Sequence, residues 1–198
     1  VKIFIQGGQL KIPLPIEFDP KTLQTAGVFK YEDELTGTLT TAHPHYDFER
    51  NEGINHLTHF SAKSSYKMYR IPRGSKTREV IGTIEAKESA YMHSFGLTQN
   101  YIILAEYPFV INPISLLLSG KPFIENFKWK PKKGTNFLLL DRRTGKVQRF
   151  STKSFFAFHH INAFEKDDSV IVDIVAYENK DIVQSLYLDV LRGDINKN

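Results

Sequence analysis

The sequence contains no cysteine among its 198 residues. This absence excludes a disulfide framework and thiolate metal ligands, so a metal site in this chain would have to use histidine or oxygen ligands. The sequence also lacks an apolar run of about 18 residues, the length that a membrane-spanning helix needs. We therefore expect a cytoplasmic protein whose membrane contact, if it makes one, is peripheral.

The chain also lacks a strong excess of one charge, since its formal net charge is +4. Its one dense basic run, formed by Lys128, Lys130, Lys132 and Lys133, surrounds the single tryptophan, Trp129. A cluster of lysines around an aromatic residue can bind nucleic acid, but it is far more typical of a solvated loop. We predict no nucleic-acid partner, and the sequence indicates no obligate protein partner.

Short apolar or alternating segments recur along the chain, separated by turn signals about every ten residues. Examples of predicted strands are residues 55–61, 65–71, 135–141 and 182–188. Aromatic residues, which favour strands, make up 13% of the sequence. This spacing predicts an all-β fold, which leaves a sandwich, a barrel and a propeller as alternatives.

Residues 112–120 break the strand pattern. Pro113 stands near a possible helix start and Gly120 follows its end, so we predict a short apolar helical insert. One interpretation is a helix or loop packed on the core. The other is an exposed apolar patch at a membrane or at the entrance to a lipophilic cavity.

Three histidines, His43, His93 and His159, lie 50 and 66 residues apart in unusual local contexts. A site made of imidazoles without sulfur favours iron, copper, nickel or zinc over magnesium or calcium. A propeller blade takes about 40–50 residues, so histidines at these intervals could converge on one axis. Each could also be an ordinary strand residue, which is how we interpret His56 and His59.

Three phrases carry a resemblance to a known family. They are TAHPHYD at residues 41–47, MHSFGLTQNYIILAEYPF at 92–109 and FHHINAFE at 158–165. Together they resemble the carotenoid cleavage oxygenases, the group that includes the retinal pigment epithelium retinoid isomerase. Residues 119–145 resemble its bacterial and cyanobacterial members. The resemblance implies a seven-bladed β-propeller with Fe(II) on its axis, bound by four histidines, three of which are oriented by glutamates.

The resemblance assigns roles to individual residues. His43, His93 and His159 match the first three iron ligands, and His160 is the competing match if the third phrase is shifted by one residue. The fourth ligand would lie beyond this chain. Gln6, in the sequence QGG, occupies a position where the family has a glutamate that orients a ligand. A glutamine can accept the imidazole N–H but supplies no charge.

The implied activity is dioxygenase cleavage of one C=C bond in a carotenoid or apocarotenoid, giving two carbonyl products. Fe(II), one per complete protein, would be the cofactor, dioxygen the co-substrate and a lipophilic polyene the partner. Phenylalanines near the ligands are candidates for the tunnel wall: Phe95, Phe156, Phe158 and Phe164. Residues of the apolar insert are candidates for a membrane patch: Ile111, Ile114, Leu116, Leu117 and Leu118.

Three other functions remain open from the sequence. Two keep the iron site and use it for cleavage of a stilbene-type alkene or for retinoid isomerisation. The third is an inactive propeller scaffold with an incomplete metal site.

We expect residues 1–198 to form a single partial propeller domain of roughly three to four blades, truncated at both ends. Seven four-stranded blades need roughly 280 residues, whereas this chain has 198.

Overall fold

The computed structural model describes the backbone of residues 3–6 and 15–193, and the side chains from residue 15 to 193. Within these residues antiparallel strands dominate. In chain order they are β1 Ile3–Gln6, β2 Pro15–Phe18, β3 Thr25–Val28, β4 Leu39–Thr40, β5 His45–Asp47, β6 Glu52–His59, β7 Ser64–Pro72, β8 Glu79–Ala86, β9 Ser89–Ala90, β10 Gly96–Leu97, β11 Tyr101–Glu106, β12 Phe109–Ile111, β13 Phe127–Trp129, β14 Thr135–Asp141, β15 Val147–Thr152, β16 Phe156–Lys166 and β17 Ser169–Tyr177.

Two sheets of neighbouring antiparallel strands form the centre of the described fold. One has the order β4-β6-β7-β8, with β5 also paired to β6, and the other has the order β10-β11-β14-β15. Smaller sheets are formed by β1-β2-β3, by β13-β12-β9 and by the β16-β17 hairpin. The strands of each large sheet are joined mostly by short turns, as in the blades of a propeller.

The first hydrophobic core lies between the two large sheets. It includes Tyr66 and Met68 from β7, Ile102 and Leu104 from β11, and Phe95 from the segment before β10. Phe95 is fully buried there. It is therefore a core residue and not part of a tunnel wall, which corrects the sequence prediction.

A second core lies under the β9-β12-β13 sheet. It contains Phe109, Ile111, Phe127 and Phe156, all buried. Two predictions are corrected here. Ile111 belongs to β12, which is buried along its whole length, and so lies outside the exposed patch. Phe156 packs against Phe109 and Phe158 and is core rather than tunnel wall.

The apolar insert forms the helix α1, Pro113–Leu118. The Asn112 side chain accepts hydrogen bonds from the backbone N–H groups of the first turn, which caps the helix. Ile114, Leu117 and Leu118 have 62%, 80% and 80% of their surface exposed. Leu116, by contrast, packs against the second core. The insert thus presents three apolar side chains outward.

The predicted strand at residues 182–188 is wrong. Two short helices, α2 Asp181–Gln184 and α3 Leu188–Leu191, occupy this region. Its apolar residues, Ile182, Val183, Leu186 and Tyr187, repeat with helical rather than strand periodicity. In addition, the backbone N–H of Asp181 donates to the Asn179 side chain, which favours a helix start.

A buried ion-pair network joins the two large sheets. Arg142, in the turn between β14 and β15, contacts Asp47 at 2.6 Å and Glu52 at 2.8 Å. All three side chains are less than a tenth exposed. The guanidinium also donates to the carbonyls of Thr98 and Gln99. This network fixes the relative position of the sheets from which the histidine-bearing segments extend.

Candidate metal centre

Three irregular or bulged segments bring His43, His93 and His159 together. His43 lies between β4 and β5, and His93 lies between β9 and β10. The first segment leads into β5, which pairs with β6 of one large sheet, and the second leads into β10 of the other. His159 lies on β16, which runs beside β10. The three residues are distant in sequence but meet where these segments converge.

The three imidazoles face one point. The Nε2 atoms of His43 and His93 are 3.0 Å apart. The His159 ring centroid lies 4.9 Å from the centroids of both other rings. One nitrogen of each ring lies within 4.8 Å of the others. The structure therefore brings together the three residues that the sequence singled out.

The environment favours the neutral form of His43 and His93. Burial lowers the pKa of His43, and positive charge on His159 and His45 would lower it further. Burial lowers the pKa of His93 to about 4, with additional contributions from His43 and His159. A neutral imidazole has a free lone pair and does not need to lose a proton before it binds a metal.

A bulge in the β16-β17 hairpin separates the two adjacent histidines of the third phrase. The strand register shifts between Ala157 and His160. Bulges bend a strand and redirect its side chains. His159 points towards His43 and His93, while His160 lies close to Ser94, with its Nδ1 2.9 Å from the Ser94 Oγ. In this geometry His159, and not His160, joins the cluster.

The remaining histidines of the first two phrases and of β6 lie apart from the cluster. The His45 Nε2 lies 2.8 Å from the Phe95 carbonyl oxygen, and its ring packs edge-on against the Phe95 ring. His56 is buried and also packs against Phe95, with the two ring centroids 5.7 Å apart. Neither ring belongs to the group of His43, His93 and His159.

A cleft of about 610 Å³ reaches the cluster at His93. Its lining is mainly apolar: Leu39, Met92, Phe123, Ile124, Phe158, Val183 and Leu186. Phe158 lies edge-on to the His93 ring, with centroids 5.3 Å apart, and it is the predicted tunnel phenylalanine that lines this cleft. Phe164 lies five residues beyond His159 on an extended strand and lines a different, charged cleft, which corrects that prediction.

Sequence inspection missed Tyr91, whose hydroxyl lies 3.2 Å from the Nδ1 of His93. This contact leaves the Nε2 of His93 facing His43. The signal that could have found Tyr91 is its spacing, because residues two apart on an extended segment lie on the same side. Gln6 ends β1, but its side chain lies outside the part of the chain that the structure describes.

The donor set fits a transition metal. Two nitrogen ligands at right angles on a metal about 2.1 Å from each lie about 3.0 Å apart, which is the observed separation of the Nε2 atoms of His43 and His93. Three imidazole ligands suit iron, copper, nickel or zinc, and do not suit magnesium or calcium. A fourth protein ligand is absent from the cluster among the described residues.

Blade-like antiparallel sheets, and a histidine cluster formed where segments of different sheets meet, define a β-propeller with a candidate metal site. The model of the retinal pigment epithelial membrane protein family matches residues 11–198, so the chain belongs to that family. This result confirms the resemblance found in the sequence.

Curated relatives agree with this assignment. The chain is 34% identical over 190 residues to the mitochondrial carotenoid-cleaving dioxygenase of Macaca fascicularis, covering 88% of this chain and 34% of that protein. It is 31% identical over 202 residues to the beta,beta-carotene 15,15'-dioxygenase of Gallus gallus, covering 92% of this chain and 38% of that protein. The chain thus spans little more than a third of these relatives.

Solved structures match the fold. The cobalt-substituted ACO of Synechocystis aligns with a TM-score of 0.70 at 23% identity, covering 89% of this chain and 37% of that one. The lignostilbene dioxygenase of Pseudomonas brassicacearum aligns with a TM-score of 0.69 at 21% identity, covering 89% and 38%. The predicted partial all-β propeller is confirmed.

Proposed function

We propose that the whole protein carrying this chain is a non-haem Fe(II) dioxygenase that cleaves a C=C bond of a carotenoid or apocarotenoid into two carbonyl products. The observation that carries the proposal is the convergence of His43, His93 and His159. The two curated relatives, a carotenoid-cleaving dioxygenase and a beta,beta-carotene 15,15'-dioxygenase, support the substrate class.

In this proposal His43, His93 and His159 hold the iron, which supplies the activation of dioxygen when it is bound. The chain's own side chains orient the ligand imidazoles and exclude water from the site. The Tyr91 hydroxyl accepts the Nδ1–H of His93, so that its Nε2 remains free for the metal. Phe158, beside the His93 ring, covers the site with an apolar surface.

The lining of the cleft supports a lipophilic substrate. Leucine, isoleucine and phenylalanine side chains would bind a polyene by burying its hydrocarbon surface, at about 25 cal/mol per Å². Val183 and Leu186, from the helical region after β17, form part of this lining. The cleft offers few charged groups, which disfavours a strongly polar substrate.

We further propose that α1 contacts a membrane peripherally. In the described part of the chain, no helix has the length and apolar character needed to cross a bilayer. The exposed side chains of Ile114, Leu117 and Leu118 are suited to shallow insertion. Phe123 and Ile124, which follow α1, line the cleft, so the patch and the cleft are neighbours.

The test is product analysis of the purified whole protein, loaded with Fe(II) under exclusion of oxygen and then supplied with ¹⁸O₂. With β-carotene or an apocarotenal, we expect two carbonyl products, each carrying one ¹⁸O atom. The variant His93→Ala should lose both iron and activity, and His59→Ala, which changes a histidine outside the cluster, should keep both. Iron-loaded protein without carbonyl products from either substrate would contradict the proposed reaction.

A stilbene such as resveratrol serves as the discriminating substrate. If the protein cleaved the stilbene but neither carotenoid substrate, the proposed substrate class would change to a phenylpropanoid alkene, and the proposed iron site would stand. A protein that binds no iron under these conditions would refute the metal centre itself.

A further inference from the structure

Thr41 connects two of the histidine-bearing segments. Its hydroxyl donates to the backbone carbonyl of His93 and accepts the backbone N–H of His43 at 3.1 Å. Its own carbonyl accepts from the Asn55 side chain at 3.1 Å, which anchors it to β6. Thr41 is 3% exposed. A hydroxyl that donates once and accepts once between two segments fixes their separation.

Ser94 connects the second segment to the third in the same way. Its hydroxyl donates to the Phe158 carbonyl at 2.8 Å and accepts the backbone N–H of His160 at 2.8 Å. These two groups flank His159. Ser94 directly follows His93 and is 8% exposed. The Nδ1 of His160, at 2.9 Å, completes the hydrogen bonds of this hydroxyl.

We infer that Thr41 and Ser94 are positioning residues that hold His43, His93 and His159 at metal-binding separation. Neither hydroxyl touches a candidate ligand nitrogen, so each acts through the backbone that carries the imidazoles. The inference rests on the proposed metal centre. Beyond that centre, it identifies the two hydroxyl groups that set the distances between the segments before a metal binds. Such preorganisation lowers the free-energy cost of metal binding.

The experiment measures Co(II) binding to the metal-free whole protein by chelator competition, together with the visible absorption of the bound Co(II). Thr41→Val removes the hydroxyl and nearly keeps the shape, and Ser94→Ala removes the second hydroxyl. We expect each variant to weaken Co(II) binding by about 10–100-fold, as outer-sphere changes commonly do, and to alter the absorption spectrum. Thr41→Ser keeps the hydroxyl and should retain Co(II) affinity close to that of the wild type.

Thr135 provides the matched control. It is a fully buried threonine whose hydroxyl bridges to the carbonyl and N–H of Phe155 at 3.2 and 3.3 Å, away from the histidine cluster. Thr135→Val should lower thermal stability about as much as Thr41→Val, but leave Co(II) affinity and spectrum unchanged. Equal Co(II) affinities for the Thr41→Val and Thr135→Val proteins would overturn the inference.

Two of the variants distinguish failure of the positioning role from failure of the metal centre. If Thr41→Val does not fold, Ser94→Ala carries the same test, and unchanged affinity and spectrum in that protein would overturn the inference. His93→Ala tests the metal centre separately. Wild-type Co(II) affinity in His93→Ala would refute the centre and the positioning role together. Loss of binding in His93→Ala with wild-type binding in the hydroxyl variants would refute only the positioning role.

Discussion

Removing Arg142 should destabilise the protein more than any nearby surface change. Its guanidinium is the shared partner of Asp47 and Glu52, at 2.6 and 2.8 Å, and all three side chains are buried. Taking away one partner of a buried ion pair costs roughly 3–5 kcal/mol, because a charge remains without compensation.

The structure places the expected cost at the lower end of that range. Asp47 keeps a contact with Arg50 at 3.0 Å, and Glu52 keeps one with Arg70 at 3.7 Å. We therefore expect Arg142→Ala to lower the free energy of unfolding by about 3 kcal/mol. Arg142→Lys keeps the charge but cannot reproduce the forked contacts, so it should fall between the alanine variant and the wild type.

The neighbouring residue supplies the control. Arg143 is exposed, and substitution of an exposed side chain usually changes stability by less than about 0.5 kcal/mol. Urea denaturation of the whole protein, followed by circular dichroism, measures both variants. Equal midpoints for Arg142→Ala and Arg143→Ala would refute the importance of the network.

The stability lost in Arg142→Ala should depend on pH. Burial raises the pKa of Asp47, but hydrogen bonds from the Arg50 backbone and from Arg142 outweigh it and hold the pKa well below its usual value. A carboxyl group with a depressed pKa in the folded state contributes stability above its unfolded pKa of about 3.9, and this contribution is lost as the pH falls further. The stability difference between wild type and Arg142→Ala should therefore be constant near neutral pH and shrink below about pH 4.

Three further outcomes are expected. Replacing Leu117 and Leu118 with serine should weaken binding to liposomes, measured by co-sedimentation, without lowering the thermal midpoint, because both side chains are 80% exposed; a lower midpoint would identify them as core residues. Gln6→Glu should tighten iron binding about tenfold in a chelator assay, since a carboxylate makes a ligand imidazole more basic; unchanged affinity would contradict the role given to Gln6. Gly134→Ala should lower the thermal midpoint, because the new Cβ would lie 2.5 Å from the Thr152 carbonyl oxygen at a backbone φ of +68°; an unchanged midpoint would refute this clash.

Local sequence signals account for what could be predicted. Alternating apolar residues and turn signals predicted β14 with its observed bounds, residues 135–141, and predicted β7 at 65–71, within one residue of its observed bounds at each end. The three histidine phrases were distinctive enough to single out the residues that converge. The strand predicted at residues 182–188 was wrong because a short apolar run was assigned strand periodicity although its apolar residues have helical spacing.

Features that depend on long-range contacts could not be read from the sequence. The bulge that turns His159 and His160 to different surroundings depends on pairing with β17. The hydroxyl of Thr41 bonds His93, 52 residues away, which no local pattern reveals. Phe95 and Phe164 were assigned to a tunnel because they are close in sequence to candidate ligands. Proximity along the chain does not determine on which side of a strand a residue lies.

The uneven burial of the three histidines has a consequence for metal exchange. His43 and His93 are partly buried and are joined through Thr41, whereas His159, whose strand β16 is tied to the His93 segment through Ser94, has an exposed side chain. Segments with less burial open locally at a lower free energy than buried ones. Release of a metal should then begin with transient opening of the β16-β17 hairpin and leave a two-histidine intermediate. Metal exchange rates should follow the hydrogen-exchange rates of amides in β16 and be insensitive to the stability of the large sheets.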